Sequence, residues 1–231
     1  FLNHHGPQTY PAHNRGLPFG PHPHRGFETV TFILEGDIMH QDSGGHRSVI
    51  GPGGVQWMTA GRGLIHSEIS SDEFKQAGGP LEILQLWINL PARLKLTEPH
   101  YIGLQQPEIP TLTLDEGRVT IHAVSGDWEG TAGAVQPLTD MALATINFRQ
   151  EGHLALHMAA GRTMVCYVIR GRVRVNGQPA AARQLVEFNP DGTGFEAQAL
   201  TDDTVLLLGH AVPLDDSVVA ARLDAAVTRR K

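Results

Sequence analysis

The chain has 231 residues, 41% of them hydrophobic, a net charge of −6 and one cysteine, enough to bury the core of one large or two small domains. The acidic balance excludes a nucleic-acid binder working through a basic surface, and the lone Cys166 excludes an internal disulfide framework and fits a reducing, cytoplasmic compartment. No run reaches the ~20 apolar residues of a membrane span and no charged-then-apolar leader is present, although a start at Phe1 rather than Met implies a short preceding piece.

Twenty-six Gly and fifteen Pro divide the sequence into short apolar runs with few helical stretches, the pattern of a β-rich sandwich or barrel. The leading segment is a Gly/Pro-rich entry to the first strand, and its His4, His5 and His13 read as solvated or structural. Phe27 to Leu34 is a strand ending in the turn Glu35-Gly36-Asp37, followed by a strand from Ile38 to Asp42 and the turn Ser43-Gly44-Gly45. Gly51-Pro52-Gly53-Gly54 introduces the strand Val55 to Met58, and the turn Thr59 to Gly63 delivers Leu64 to Glu68 as another. Leu81 to Leu90 is a further strand, and the proline-punctuated stretch Pro91 to Pro110 is a connector with one helical turn.

A second β-rich half begins near Val119 and repeats the first at an offset of about 135 residues. Gly26 maps to Gly161, Gly36 to Gly171 and His22 to His157, but His24 maps to Ala159, and Phe195 stands where a histidine would be delivered. The second half is therefore a copy without the first half's cluster of histidines, His157 being a relic with a structural hydrogen bond. Beyond it, Asp215-Asp216-Ser217 followed by spaced apolar residues and Arg229-Arg230-Lys231 predicts a helix over Asp216 to Thr228. The expected units are 1–118, 119–214 and 215–231.

The chemistry concentrates in His22-Pro23-His24 and His66-Ser67-Glu68. Side chains two apart on a strand leave the same face, so each pair can aim at one point. Three imidazoles and a carboxylate form a donor set of borderline softness, suited to Fe(II), Mn, Co, Ni, Cu or Zn and unlike the cysteine-rich sets of structural zinc. Such a set leaves coordination positions open for a substrate or a sensed ligand. His40, His46, His100, His122, His153 and His210 are read as lacking an i,i+2 partner, and so as solvated or structural.

The string Pro21-His22-Pro23-His24-Arg25-Gly26-Phe27-Glu28-Thr29-Val30 resembles the pirin family of the cupin superfamily, together with Gln56-Trp57-Met58-Thr59-Ala60-Gly61-Arg62-Gly63 leading into His66-Ser67-Glu68. Gln85-Leu86-Trp87 and Glu98-Pro99-His100-Tyr101 extend the likeness, which weakens after residue 105 and ends near Gly209. The resemblance implies an all-β bicupin, two jelly-roll β-barrels face to face with one metal, commonly iron, in the N-terminal barrel. It implies His22, His24, His66 and Glu68 as ligands, and Phe19, Pro21 and Met39 at the pocket mouth. The general cupin pattern offers Glu28 as a rival carboxylate of inward parity, here expected to support the site rather than bind the metal.

Bacterial pirin-like proteins are similar to quercetin 2,3-dioxygenases, which open a flavonol ring with dioxygen and release carbon monoxide. That likeness implies a flavonol-like substrate and O2, Glu68 or Glu28 as proton acceptor, and Phe19, Met39 and Trp57 as apolar walls. The alternative is a non-catalytic iron-binding redox sensor or transcriptional co-regulator acting through a protein partner, as eukaryotic pirins are implicated to be. A metal enzyme with another small substrate is the third reading.

Overall fold

The computed structural model describes residues 1–189, 191–214 and 216. The expected C-terminal helix, apart from Asp216, lies outside the described residues. Nine strands build the first half: β1 (Leu2–Tyr10), β2 (Phe19–His24), β3 (Phe27–Glu35), β4 (Ile38–Asp42), β5 (Arg47–Ile50), β6 (Val55–Thr59), β7 (Leu64–Ile69), β8 (Gly79–Asn89) and β9 (His100–Leu104). They form two antiparallel sheets, in the orders β1-β8-β3-β6-β9 and β2-β7-β4-β5, which face each other as a cupin jelly roll. Ile33, Leu81 and Ile83 of one sheet meet Ile38 and Ile50 of the other in the interior between them.

The second half repeats the plan with β10 (Thr111–Leu114), β11 (Val119–Ser125), β12 (Asp127–Trp128), β13 (Thr131–Ala132), β14 (Met141–Phe148) and β15 (His153–His157). It continues with β16 (Thr163–Arg170), β17 (Arg172–Val175), β18 (Gln178–Ala181), β19 (Leu185–Glu187), β20 (Gly194–Ala199) and β21 (Thr204–Ala211). The order β10-β11-β14-β21-β16-β19 faces β15-β20-β17-β18. β3 and β16 stand at the expected 135-residue offset, but His157 is exposed on the outer face of β15. The inward places of that half hold Leu154, Leu156, Met158, Phe195 and Ala197, a closely filled apolar interior. The one-residue alternation of a strand decides the matter: a histidine preserved by alignment but shifted in parity leaves the site altogether.

The two jelly rolls meet through the backs of their larger sheets. Val30, Phe32, Val55, Trp57 and Leu84 pack against Leu143, Tyr167, Ile169 and Leu207. Beside this apolar contact, Glu82 accepts from Arg170 Nε at 2.9 Å and meets His4 Nε2 at 2.9 Å, while Arg170 Nη2 reaches Glu35 at 3.0 Å. His4 Nδ1 lies 2.9 Å from the Tyr167 hydroxyl, so the same imidazole touches both halves.

Several local expectations need correcting. The leading segment is the edge strand β1, irregular only at a shift of register between His5 and Gln8; Pro7 is tolerated there because an edge bulge has no ladder bond to lose. The connector contains β9, paired along β6. β10 falls within the unit expected to run to residue 118 but hydrogen-bonds to β11 of the second half. A short helix, α1 (Asp72–Ala77), is capped by the Ser71 hydroxyl, which accepts from Phe74 N at 3.0 Å, and it buries Phe74 against Leu17 and Ile33.

Candidate metal centre

β2 and β7 are antiparallel neighbours in which His22 and His66 are direct partners and His24 pairs with Leu64. Alternation turns Pro23 and Ile65 outward and the three imidazoles inward. His22 Nε2 lies 3.1 Å from His24 Nε2 and 3.0 Å from His66 Nε2, and the donor atoms of the three residues all fall within 4.8 Å of one another. His22 Nδ1 donates to the Gly20 carbonyl at 2.8 Å, which leaves its Nε2 as a bare lone pair.

Electrostatics keeps His24 and His66 neutral. Burial, then the neighbouring His22, lowers His24 to about 4, and burial, then His22, His24 and His40, lowers His66 to about 2. His66 is 1% exposed and His24 8%. Three imidazoles whose ring nitrogens converge on one point fit a divalent transition metal, the group that satisfies all three at once.

Glu68 stands at the edge of this cluster, 3% exposed, with Oε2 3.9 Å from His66 Nε2. Gln85 Nε2 donates to both of its oxygens, at 3.1 and 2.8 Å, Thr31 Oγ1 donates to Oε1 at 3.2 Å, and Gln56 Nε2 also donates to Oε1. Burial raises its pKa, against the pull of these donors and of His22. Next to His24 stands an aromatic wall: Phe27 and Trp87 stack at 4.9 Å and 19°, and their rings lie 4.9 and 5.0 Å from the His24 ring.

The remaining sequence candidates separate by face. Glu28 and Trp57 lie on the opposite side of the sheet from Thr31 and Gln56, as the register of β3 with β6 requires. Trp57 Nε1 and Thr59 Oγ1 donate to Glu28 Oε1 at 3.1 and 2.6 Å in the contact between the jelly rolls. The inward parity expected of Glu28 is therefore wrong: its side chain is directed toward the second half, away from the histidines. Met39 is on the outer face of β4, where its sulfur meets Arg47, and Pro21 is exposed. Phe19 alone of the pocket candidates packs toward the interior, against the cluster around Leu17 and Ile33.

Sequence reasoning missed His40, Asp42 and Tyr101. His40 is fully buried, bonded to Asp42 Oδ2 at 3.0 Å and stacked on Tyr101 at 3.9 Å and 9°. Asp42 pairs in register with His66, and His40 with Glu68. The spacing rule that found the other pairs applies equally to His40 and Asp42, had a histidine–carboxylate pair without a second histidine been weighed.

Comparison with known proteins agrees with this architecture. The Pirin family model matches residues 1–88. A pirin-like protein of Caulobacter vibrioides is 42% identical over 197 residues, spanning 82% of this chain and 67% of that relative. The chain belongs to the pirin family. Among solved structures, the quercetin 2,3-dioxygenase of Acinetobacter baumannii superposes with a TM-score of 0.88 at 30% identity, covering 98% of this chain and 82% of that one. A bacterial pirin of Escherichia coli in complex with nickel(II) superposes with a TM-score of 0.68 at 25% identity, covering 92% of this chain and 82% of that one. The pirin fold and the convergent histidines together imply a divalent metal. Among the described residues no helix is long and apolar enough to cross a membrane.

Proposed function

We propose that this pirin is a metal-dependent dioxygenase of the quercetin 2,3-dioxygenase type, acting on a flat aromatic substrate such as a flavonol with O2. The observation that carries the reading is the convergence of three imidazole Nε2 atoms beside a buried carboxylate and an aromatic wall. His22, His24, His66 and Glu68 hold the ion. Bound there, a divalent metal, Fe(II) first and Mn, Co, Ni, Cu or Zn as alternatives, supplies Lewis acidity to a substrate hydroxyl.

Phe27, Trp87 and Phe19 orient the aromatic rings and exclude water from the reacting face. Glu68 is the proton acceptor for the hydroxyl, since burial raises its basicity while Gln56, Gln85 and Thr31 keep it in place. Burial also raises the Cys166 thiol to about 12, an inert thiol in keeping with a reducing compartment, and we place the chain in the cytoplasm.

Metal analysis of the purified protein, anaerobic reconstitution with each ion and oxygen uptake with quercetin test the reading. Metal-dependent uptake with ring-opened product supports it; stoichiometric metal without turnover moves the weight to a metal-binding regulator with a protein partner. His24→Ala is expected to lose most bound metal. Loss of metal in Glu28→Ala but not in Glu68→Ala would overturn the ligand assignment.

A further inference from the structure

Behind His66, on the neighbouring strand, the hydrogen bonds of Asp42 fix where His40 carries its proton. Asp42 Oδ1 accepts the backbone N–H of Gly44 at 2.8 Å and of His46 at 3.1 Å, while Oδ2 lies 3.0 Å from both His40 Nε2 and His46 Nδ1. An ionised carboxylate only accepts, so His40 carries its proton on Nε2 and presents a bare Nδ1. That acceptor lies 3.5 Å from His66 Nδ1, at the long end of hydrogen bonding. With His66 protonated on Nδ1 this buried chain of bonds is complete, and the His66 lone pair falls on Nε2, the atom 3.0 Å from His22 Nε2. The His40 ring has little freedom to turn: it is fully buried and stacked on Tyr101, whose hydroxyl is held by Ser48 Oγ at 2.6 Å.

We infer that Asp42 and His40 are positioning residues for the metal centre: Asp42 sets the tautomer of His40, His40 sets that of His66, and the His66 lone pair is thereby presented to the ion. The inference rests on the metal reading above, yet the order of protons belongs to the metal-free protein and is measurable in it. His46 extends the network to the surface, its side chain 45% exposed while that of Asp42 is 1% exposed, so the aspartate is gripped from both sides.

Asp42→Asn tests the relay with little change of shape. The amide oxygen keeps the two turn N–H groups, and the NH2 replaces Oδ2 with a donor. His40 must then accept at Nε2 and donate from Nδ1, which drives the His66 proton onto Nε2, where it blocks coordination. In the apo protein, two-bond 1H–15N correlations are expected to show His66 protonated on Nδ1 in the parent and on Nε2 in D42N. Affinity for Ni(II), measured by chelator competition on the full chain, is expected to fall about 10- to 100-fold in D42N with the circular dichroism spectrum unchanged.

His40→Phe keeps the stack on Tyr101, removes the acceptor and is expected to weaken Ni(II) binding less, because it imposes no wrong tautomer. Protonation of the parent His66 on Nε2 overturns the inference whether or not any variant folds, as does D42N binding Ni(II) within about twofold of the parent. Failure of the parent itself to bind Ni(II) or any of the other ions overturns the metal reading instead, and the tautomer measurement then still reports on the relay alone.

Discussion

Two buried glutamates separated by one thickness of sheet show how environment assigns roles to identical side chains. Glu68 has amide and hydroxyl donors on both oxygens, whereas Glu28 is 1% exposed, with donors on Oε1 and no partner for Oε2 among the described residues. Burial raises the Glu28 pKa against the pull of Thr59 and Trp57. The folded state therefore keeps a proton that the unfolded chain releases, and stability contributed by protonated Glu28 is lost as pH rises from the unfolded pKa through the raised one. Glu28→Gln retains an acceptor for Trp57 and Thr59 without a charge to bury. It is expected to melt above the parent at pH 7, with the margin closing toward pH 4.5, and to bind metal as the parent does; thermal melts at both pH values and a metal titration check this. The convergence of His22 and His24 with His66 was legible in sequence because period-two spacing is a local property. The side on which Glu28 falls was not, since it depends on which face of β3 a distant half of the chain covers.

Elements bounded by glycine-bearing turns, such as β3, β4, β6 and β7, were readable to within a residue, because apolar or β-branched runs and their turns are written locally. β1 and β9 were hidden by weak patterns: β1 is largely half-buried or exposed and interrupted by Pro7, and β9 is a five-residue run flanked by Pro99 and Pro107. The helix α1 was overlooked although its start is marked by Ser71 with Asp72 and Glu73 in the first turn. Ser71 both caps Phe74 N and receives Asp37, whose Oδ1 accepts the Ser71 N–H at 2.9 Å. Ser71→Ala is expected to cost about 1 kcal/mol in urea denaturation while leaving metal stoichiometry intact, since α1 packs on the Leu17–Ile33 end of the interior, not on the histidines.

At the scale of the molecule, the second jelly roll serves as a buttress behind the larger sheet of the first, the sheet that faces the histidine-bearing strands β2 and β7. Arg170 is the polar bolt, reaching Glu82 and Glu35 across the contact, and Glu82 is fully buried. Arg170→Met removes one partner and leaves a buried carboxylate with His4 alone, an expected loss of about 3 kcal/mol by the precedent of broken buried pairs. Urea denaturation followed by tryptophan fluorescence checks it; restoration of stability by the double variant with Glu82→Gln would identify the unpaired charge as the cause. The repeat at 135 residues was visible in sequence, but the filled interior of the copy depends on a one-residue difference in parity at His157 that only the strand pairing reveals.

β3 is a single rod with two readerships. Phe27, Thr29 and Thr31 belong to the chamber, while Glu28, Val30 and Phe32 belong to the seam. Point changes can therefore drift on one side without informing the other, but a single codon gained or lost within Phe27–Ile33 would exchange the two sets wholesale, filling the chamber with seam residues and wetting the seam with threonines. Natural length variation in this lineage is thus expected to be confined to the turns, with β3 passed on at constant length even where its letters change.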